Sequence, residues 1–162
     1  MTEQGPDLEF ERQMADAISL DDLGDALEYR VRAMGYAGFV YYTHRRMPLE
    51  EVAAGEAFVL SRGPAFLKAF EAIYYSRRMF RFDPMLQLVS ERHAPFTTLA
   101  ERSQMALTRR QRWIWALEKR FGIRYDLFIP MNTPLRTQAL YLFMLGDPAG
   151  AAETIAATTN EL

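Results

Sequence analysis

Two runs near the C-terminal end, residues 125–131 and 138–145, constrain the fold more than any other part of the chain. Both are crowded with aromatic and aliphatic side chains of the kind that suit a pleated, half-buried surface. Residues 132–137, with Pro134 among them, separate the runs and read as a hairpin loop. A hairpin makes the sheet mainly antiparallel. Residues 39–44 and 57–60 read as further strands, and 96–99 as a brief fifth.

Helical spacing fills the remainder. Phe10, Met14 and Ile18 mark a first helix from about residue 7, and the residues before Pro6 read as a loose tail. Ser19-Leu20-Asp21-Asp22 resembles a capping box and opens a second helix, striped by Leu23, Leu27, Val31 and Met34. A central helix follows Gly63-Pro64. Another begins at Asp83-Pro84 and runs to about residue 91. Thr108 caps a long helix that Gly122 stops, and an alanine-rich helix closes the chain. Helices outnumber strands, so the expected fold is α/β: an α/β/α sandwich, a central, mainly antiparallel five-stranded sheet with helices on both faces.

The stretch FLKAFEAIYYSRRMFRFDP, residues 66–84, carries the chemistry. Phe66, Phe70 and Tyr74 recur every four residues and share one helix face. Asp83 sets a carboxylate beside that face, and Pro84 suits the first turn of the next helix. Two readings fit. The aromatic face and the carboxylate form a pocket for an apolar ligand with a polar head, or the stripe is plain core and Asp83 a helix N-cap. Spacing alone favours the second.

At 162 residues with a net charge of −2, the chain reads as one domain and not as a nucleic-acid binder by charge. It has no cysteine, which removes thiolate metal sites and cysteine nucleophiles and fits a reducing cytoplasm. No apolar run reaches membrane-spanning length. Nucleotide, hydrolase and zinc-protease motifs do not occur, so neither an enzyme nor a metal or other cofactor is expected. The two histidines, His44 and His93, read as surface residues. Arg77, Arg78 and Arg81, like Arg109, Arg110 and Arg112, read as solvated helix faces.

Tyr74 with Asp83-Pro84 nine residues later, and the run FGIRYDLFIP at 121–130 before the hairpin, resemble one family. They are similar to the N-terminal autoinducer-binding domain of LuxR-type quorum-sensing regulators, over about residues 20–145. The resemblance implies a ligand-sensing domain for an acyl-homoserine lactone, with the ligand between the sheet and one helical layer. It implies that Asp83 accepts the ligand amide N–H and that Tyr74 walls the acyl pocket. The family tryptophan that donates to the lactone carbonyl falls at Phe70. The tyrosine that donates to the amide carbonyl falls at Phe66. A tryptophan flanking the lactone falls at Thr98, and a Ser/Thr of the last pocket strand at Leu142. A glycine of the family becomes Asp126. Two donors are thus replaced by phenylalanine, and the pocket is expected to be atypical.

The resemblance further implies a homodimer, or a heterodimer with a related regulator. DNA would be bound only through a C-terminal helix-turn-helix domain absent from residues 1–162. The alternative is a ligand-independent interaction module of the same fold that pairs with a full-length regulator and inhibits it.

Overall fold

The computed structural model describes residues 6–53 and 55–162. The tail expected before Pro6 lies outside them. Helices α1 (Pro6–Asp16) and α2 (Leu20–Ala33) lead into strands β1 (Gly38–Arg45) and β2 (Phe58–Arg62). Helices α3 (Leu67–Ser76), α4 (Pro84–Glu91), α5 (Thr98–Arg102) and α6 (Arg109–Arg120) follow. Strands β3 (Ile123–Pro130) and β4 (Arg136–Leu145) precede α7 (Ala151–Glu161).

Local chemistry sets these boundaries. The Ser19 hydroxyl accepts the Asp22 N–H at 3.1 Å and starts α2. Ile18, expected on the stripe of α1, falls instead in the link between the two helices and is 95% exposed. Thr108 and Gln111 cap α6 reciprocally, a full capping box. Gly122, at φ +80°, ends that helix in a conformation other residues rarely adopt and releases the chain into β3.

The strands pair antiparallel in the order β2-β1-β4-β3. Among the described residues four are continuous where five were expected. The fifth shrinks to one bridge, in which Phe96 and Phe128 exchange both backbone hydrogen bonds at 3.0 and 2.8 Å. Thr97 then caps α5 by accepting the Ala100 N–H, so the chain turns helical before a strand can extend.

Strand parity assigns each side chain to a layer. Phe39, Leu127, Leu142 and Met144 pack with Val31 of α2 and Ala151 of α7. Tyr42, Phe128, Ala139 and Phe143 point the other way and pack with Phe70 of α3, Met85 of α4 and Ile114 of α6. The sheet is thus covered on both faces, as an α/β/α sandwich requires.

Gly38 lets β1 and β2 meet. A Cβ there would lie 2.5 Å from the Arg62 carbonyl oxygen and 2.8 Å from Cζ of Phe143. Gly38→Ala should therefore cost about 1–3 kcal/mol in urea unfolding, the usual size of an overpacking penalty. An unchanged midpoint would show that this edge gives way freely.

Candidate functional site

A cavity of about 60 Å³ lies between the sheet and the layer of α3, α4 and α6. Val40 and Tyr42 of β1, Phe128 of β3, and Ala139 and Tyr141 of β4 form its floor. Register brings them together, since Val40 is opposite Tyr141, Tyr42 opposite Ala139, and Phe128 opposite Tyr141. Phe70, Glu71, Tyr74 and Tyr75 of α3 form one wall, while Asp83, Leu86 and Glu118 close the other sides.

On α3, Phe70 and Tyr74 stack with ring centroids 5.8 Å apart. Arg78, at φ 51°, turns the chain after α3, and a short 3-10 turn, Met79–Phe82, brings Asp83 back beside Tyr74. The Tyr74 hydroxyl donates to Oδ2 of Asp83 at 2.6 Å, and the Met85 N–H donates to Oδ1 at 2.8 Å. One oxygen therefore caps α4 and the other holds the cavity wall. Burial raises the Asp83 carboxyl above its ordinary pKa, and the two hydrogen bonds pull it back only in part.

Three polar atoms at this cavity are buried without a partner among the described residues: the hydroxyls of Tyr42 and Tyr141 and Oε1 of Glu71. An unpaired buried hydroxyl costs free energy, so such groups need an explanation. Glu118 also borders the cavity. Burial first, then the charges of Asp126 and Asp83, push its carboxyl well above the usual range, and Arg102 acts in the opposite sense.

The sequence-derived residues separate in space. Phe70, Tyr74 and Asp83 meet at the cavity. Phe66 sits behind them, stacked on Phe121 at 5.3 Å. Thr98 lines a neighbouring hollow of about 270 Å³ with Arg102, Trp115 and Asp126. There it fastens α5 to β3, donating from its N–H and its hydroxyl to the two oxygens of Asp126 at 2.8 and 2.5 Å. Leu142 faces the opposite layer, and its neighbour Tyr141 takes the cavity side.

His44 departs from the expectation of a surface residue. The pairing of β1 with β4 runs on to Arg45 and covers it, leaving 1% exposed. Burial holds its pKa below the ordinary value. His93 is exposed.

The sequence pattern described as the autoinducer binding domain matches residues 19–161. The chain belongs to this family. By its description the family binds a signal molecule, an autoinducer, and is not a family of enzymes. Among the solved structures that share this fold are two proteins with low sequence identity to the chain. One is CepR2 from Burkholderia cenocepacia, an N-acylhomoserine lactone dependent LuxR family transcription factor. It superposes with a TM-score of 0.71 at 15% identity, over 94% of this chain and 85% of that one. The other is Escherichia coli SdiA, with a TM-score of 0.59 at 12% identity, over 93% of this chain and 58% of that one. No curated protein matches the sequence. Among the described residues, no helix is long and apolar enough to cross a membrane.

Proposed function

We propose that this autoinducer-binding domain senses an acyl-homoserine lactone or a related apolar signal in the cavity between the sheet and α3, α4 and α6. Phe70 and Tyr74 form its aromatic wall and Asp83 accepts a ligand N–H. Tyr42 and Tyr141 supply the hydroxyl donors that phenylalanines at positions 66 and 70 cannot. The observation that carries this reading is the pair of buried, unpartnered hydroxyls on one face of an apolar cavity. Residues 1–162 act as one sensory domain in the cytoplasm, as a homodimer or paired with a related regulator. DNA contact falls to a helix-turn-helix domain outside this chain.

Tyr42→Phe and Tyr141→Phe test the assignment. Neither hydroxyl has a partner to lose, so ligand-free stability should hold or rise by up to about 1 kcal/mol. Affinity for N-hexanoyl-homoserine lactone in calorimetry should fall by about 0.5–1.5 kcal/mol for each variant, up to roughly tenfold. Unchanged affinity in both would remove the hydroxyls from the site.

The size of the cavity favours a second reading, the ligand-independent module that heterodimerises with a full-length regulator. About 60 Å³ holds only a few waters, each needing roughly 10–15 Å³. A melt that the lactone leaves unmoved, with a stable complex on mixing with such a regulator, would favour the module.

A further inference from the structure

A groove of about 390 Å³ lies between α3 and α6 and shares no residue with the cavity. Ile73 and Arg77 line it from α3, Trp113, Leu117 and Arg120 from α6, and buried Met79 from the turn that follows α3. Helical spacing puts Arg109, Trp113, Ala116 and Arg120 on one face of α6, a tryptophan between two arginines. The core does not use this face. Ile114 and Trp115 turn inward instead, leaving Trp113 57% exposed, with Ile73 36% exposed in the same groove. Apolar side chains grouped in the open mark contact sites, and tryptophan is prominent among the residues that dominate interface energy.

The charge around the groove has one sign. Arg77 and Arg120 rim it, and Arg109, Arg110 and Arg112 extend the charge along α6. All are exposed, and none joins an ion pair among the described residues. The carboxylates of the two helices, Glu71 and Glu118, face the cavity instead. The groove is therefore electropositive on a chain whose net charge is −2. Lys119 and Arg120 suit the last turn of α6, where the helix dipole favours cations. Arg109 and Arg110 occupy its first turn, where the dipole opposes them and no acidic residue relieves them. Helix stability does not account for that pair, whereas an acidic partner does.

We propose that this groove docks an acidic amphipathic helix of a partner protein. Its apolar residues seat on Ile73, Trp113 and Leu117, and its carboxylates meet Arg77, Arg109 and Arg120. Helices that bind in this way bury apolar side chains spaced i, i+3, i+4 and i+7 in a preformed groove. A nucleic-acid backbone would match the charge but leave the apolar lining uncovered, so the acidic helix fits better. The docking site stands apart from the cavity and holds whichever signal the cavity takes.

The test is fluorescence anisotropy on the whole chain with a labelled helical peptide of repeating sequence LEELLEE. One control peptide carries lysine for glutamate, a second carries alanine for leucine, and a DNA duplex supplies phosphate without an apolar face. The acidic peptide should bind roughly tenfold or more tightly than either control peptide. Trp113→Ala should weaken it roughly tenfold or more, the scale of an interface hot spot. That side chain is exposed, so the urea midpoint should stay at the wild-type value. Arg77→Glu combined with Arg120→Glu should lose the acidic peptide and gain the lysine peptide, an exchange that a merely damaged fold would not produce. Equal binding of the acidic and lysine peptides, or indifference of the acidic peptide to Trp113→Ala, overturns the proposal. Tighter binding of the duplex than of the acidic peptide assigns the arginines to phosphate and overturns it too. Silence from every probe does the same.

Discussion

Asp83→Ala should lower the stability of the ligand-free domain by about 2–3 kcal/mol, because the carboxylate has two structural tasks. Losing the cap of α4 costs about 1 kcal/mol. The Tyr74 hydroxyl, buried and donating to Asp83 at 2.6 Å, is then left unpaired, which adds about 1–3 kcal/mol. Relief from holding a charge in an apolar site offsets part of the sum. A double-mutant cycle isolates the Tyr74 contribution. In Asp83→Ala with Tyr74→Phe no hydroxyl remains to be orphaned, so the double variant should be more stable than the two single losses added together. Asp83→Asn should cost much less, since its carbonyl still caps α4 and its amide can donate to the Tyr74 oxygen, the phenol turning to suit. Urea unfolding of wild type and the four variants decides the matter. Additive losses would mean that the bond between Tyr74 and Asp83 contributes nothing.

This dual use of one carboxylate shows where reading the chain reached its limit. Spacing set a ligand pocket against a helix cap as alternatives; one oxygen of Asp83 does cap α4, while the other accepts from Tyr74 on the cavity wall, a contact that neither reading included. Elements fixed by local chemistry were legible: the Ser19 and Thr108 caps, Pro84 at the start of α4, and the hairpin of β3 and β4. What depends on which face of a strand turns inward was not. Both faces of this sheet are covered, so β4 is an unbroken apolar and aromatic run from Ala139 to Leu145 and alternation cannot tell Tyr141 from Leu142. The same ambiguity hid Tyr42. The burial of His44 and the tie between Thr98 and Asp126, 28 residues apart, follow from strand pairing and the docking of α5, which leave no local signature.

The domain should also grow more stable as pH falls from 7 towards 5, the reverse of ordinary acid denaturation, and Asp126 should be a principal cause. Burial pushes its carboxyl up to about 6, although two hydrogen bonds from Thr98 act against the shift. In the unfolded chain an aspartate titrates near its ordinary value of 3.8. Between those values the folded state binds the extra proton, so the stabilisation is full below the unfolded pKa and is lost as pH rises through the folded one. For Asp126 the span corresponds to no more than roughly 3 kcal/mol. Glu71, Asp83 and Glu118 are raised by burial too and add to the slope in the same direction. His44 opposes them. Its folded pKa lies below 6.5, so its contribution is gained as pH rises through the folded pKa towards that value. Asp126→Asn removes one titration and leaves the others. The variant should be less stable than wild type at pH 5, where it lacks the protonated carboxyl and its hydrogen bonds to Thr98 are altered. By pH 7 the gap should close or reverse. Denaturation midpoints for both proteins at half-unit steps from pH 4.5 to 7.5 provide the measurement. Parallel curves would mean that Asp126 stays ionised throughout and that its two hydrogen bonds from Thr98 outweigh its burial.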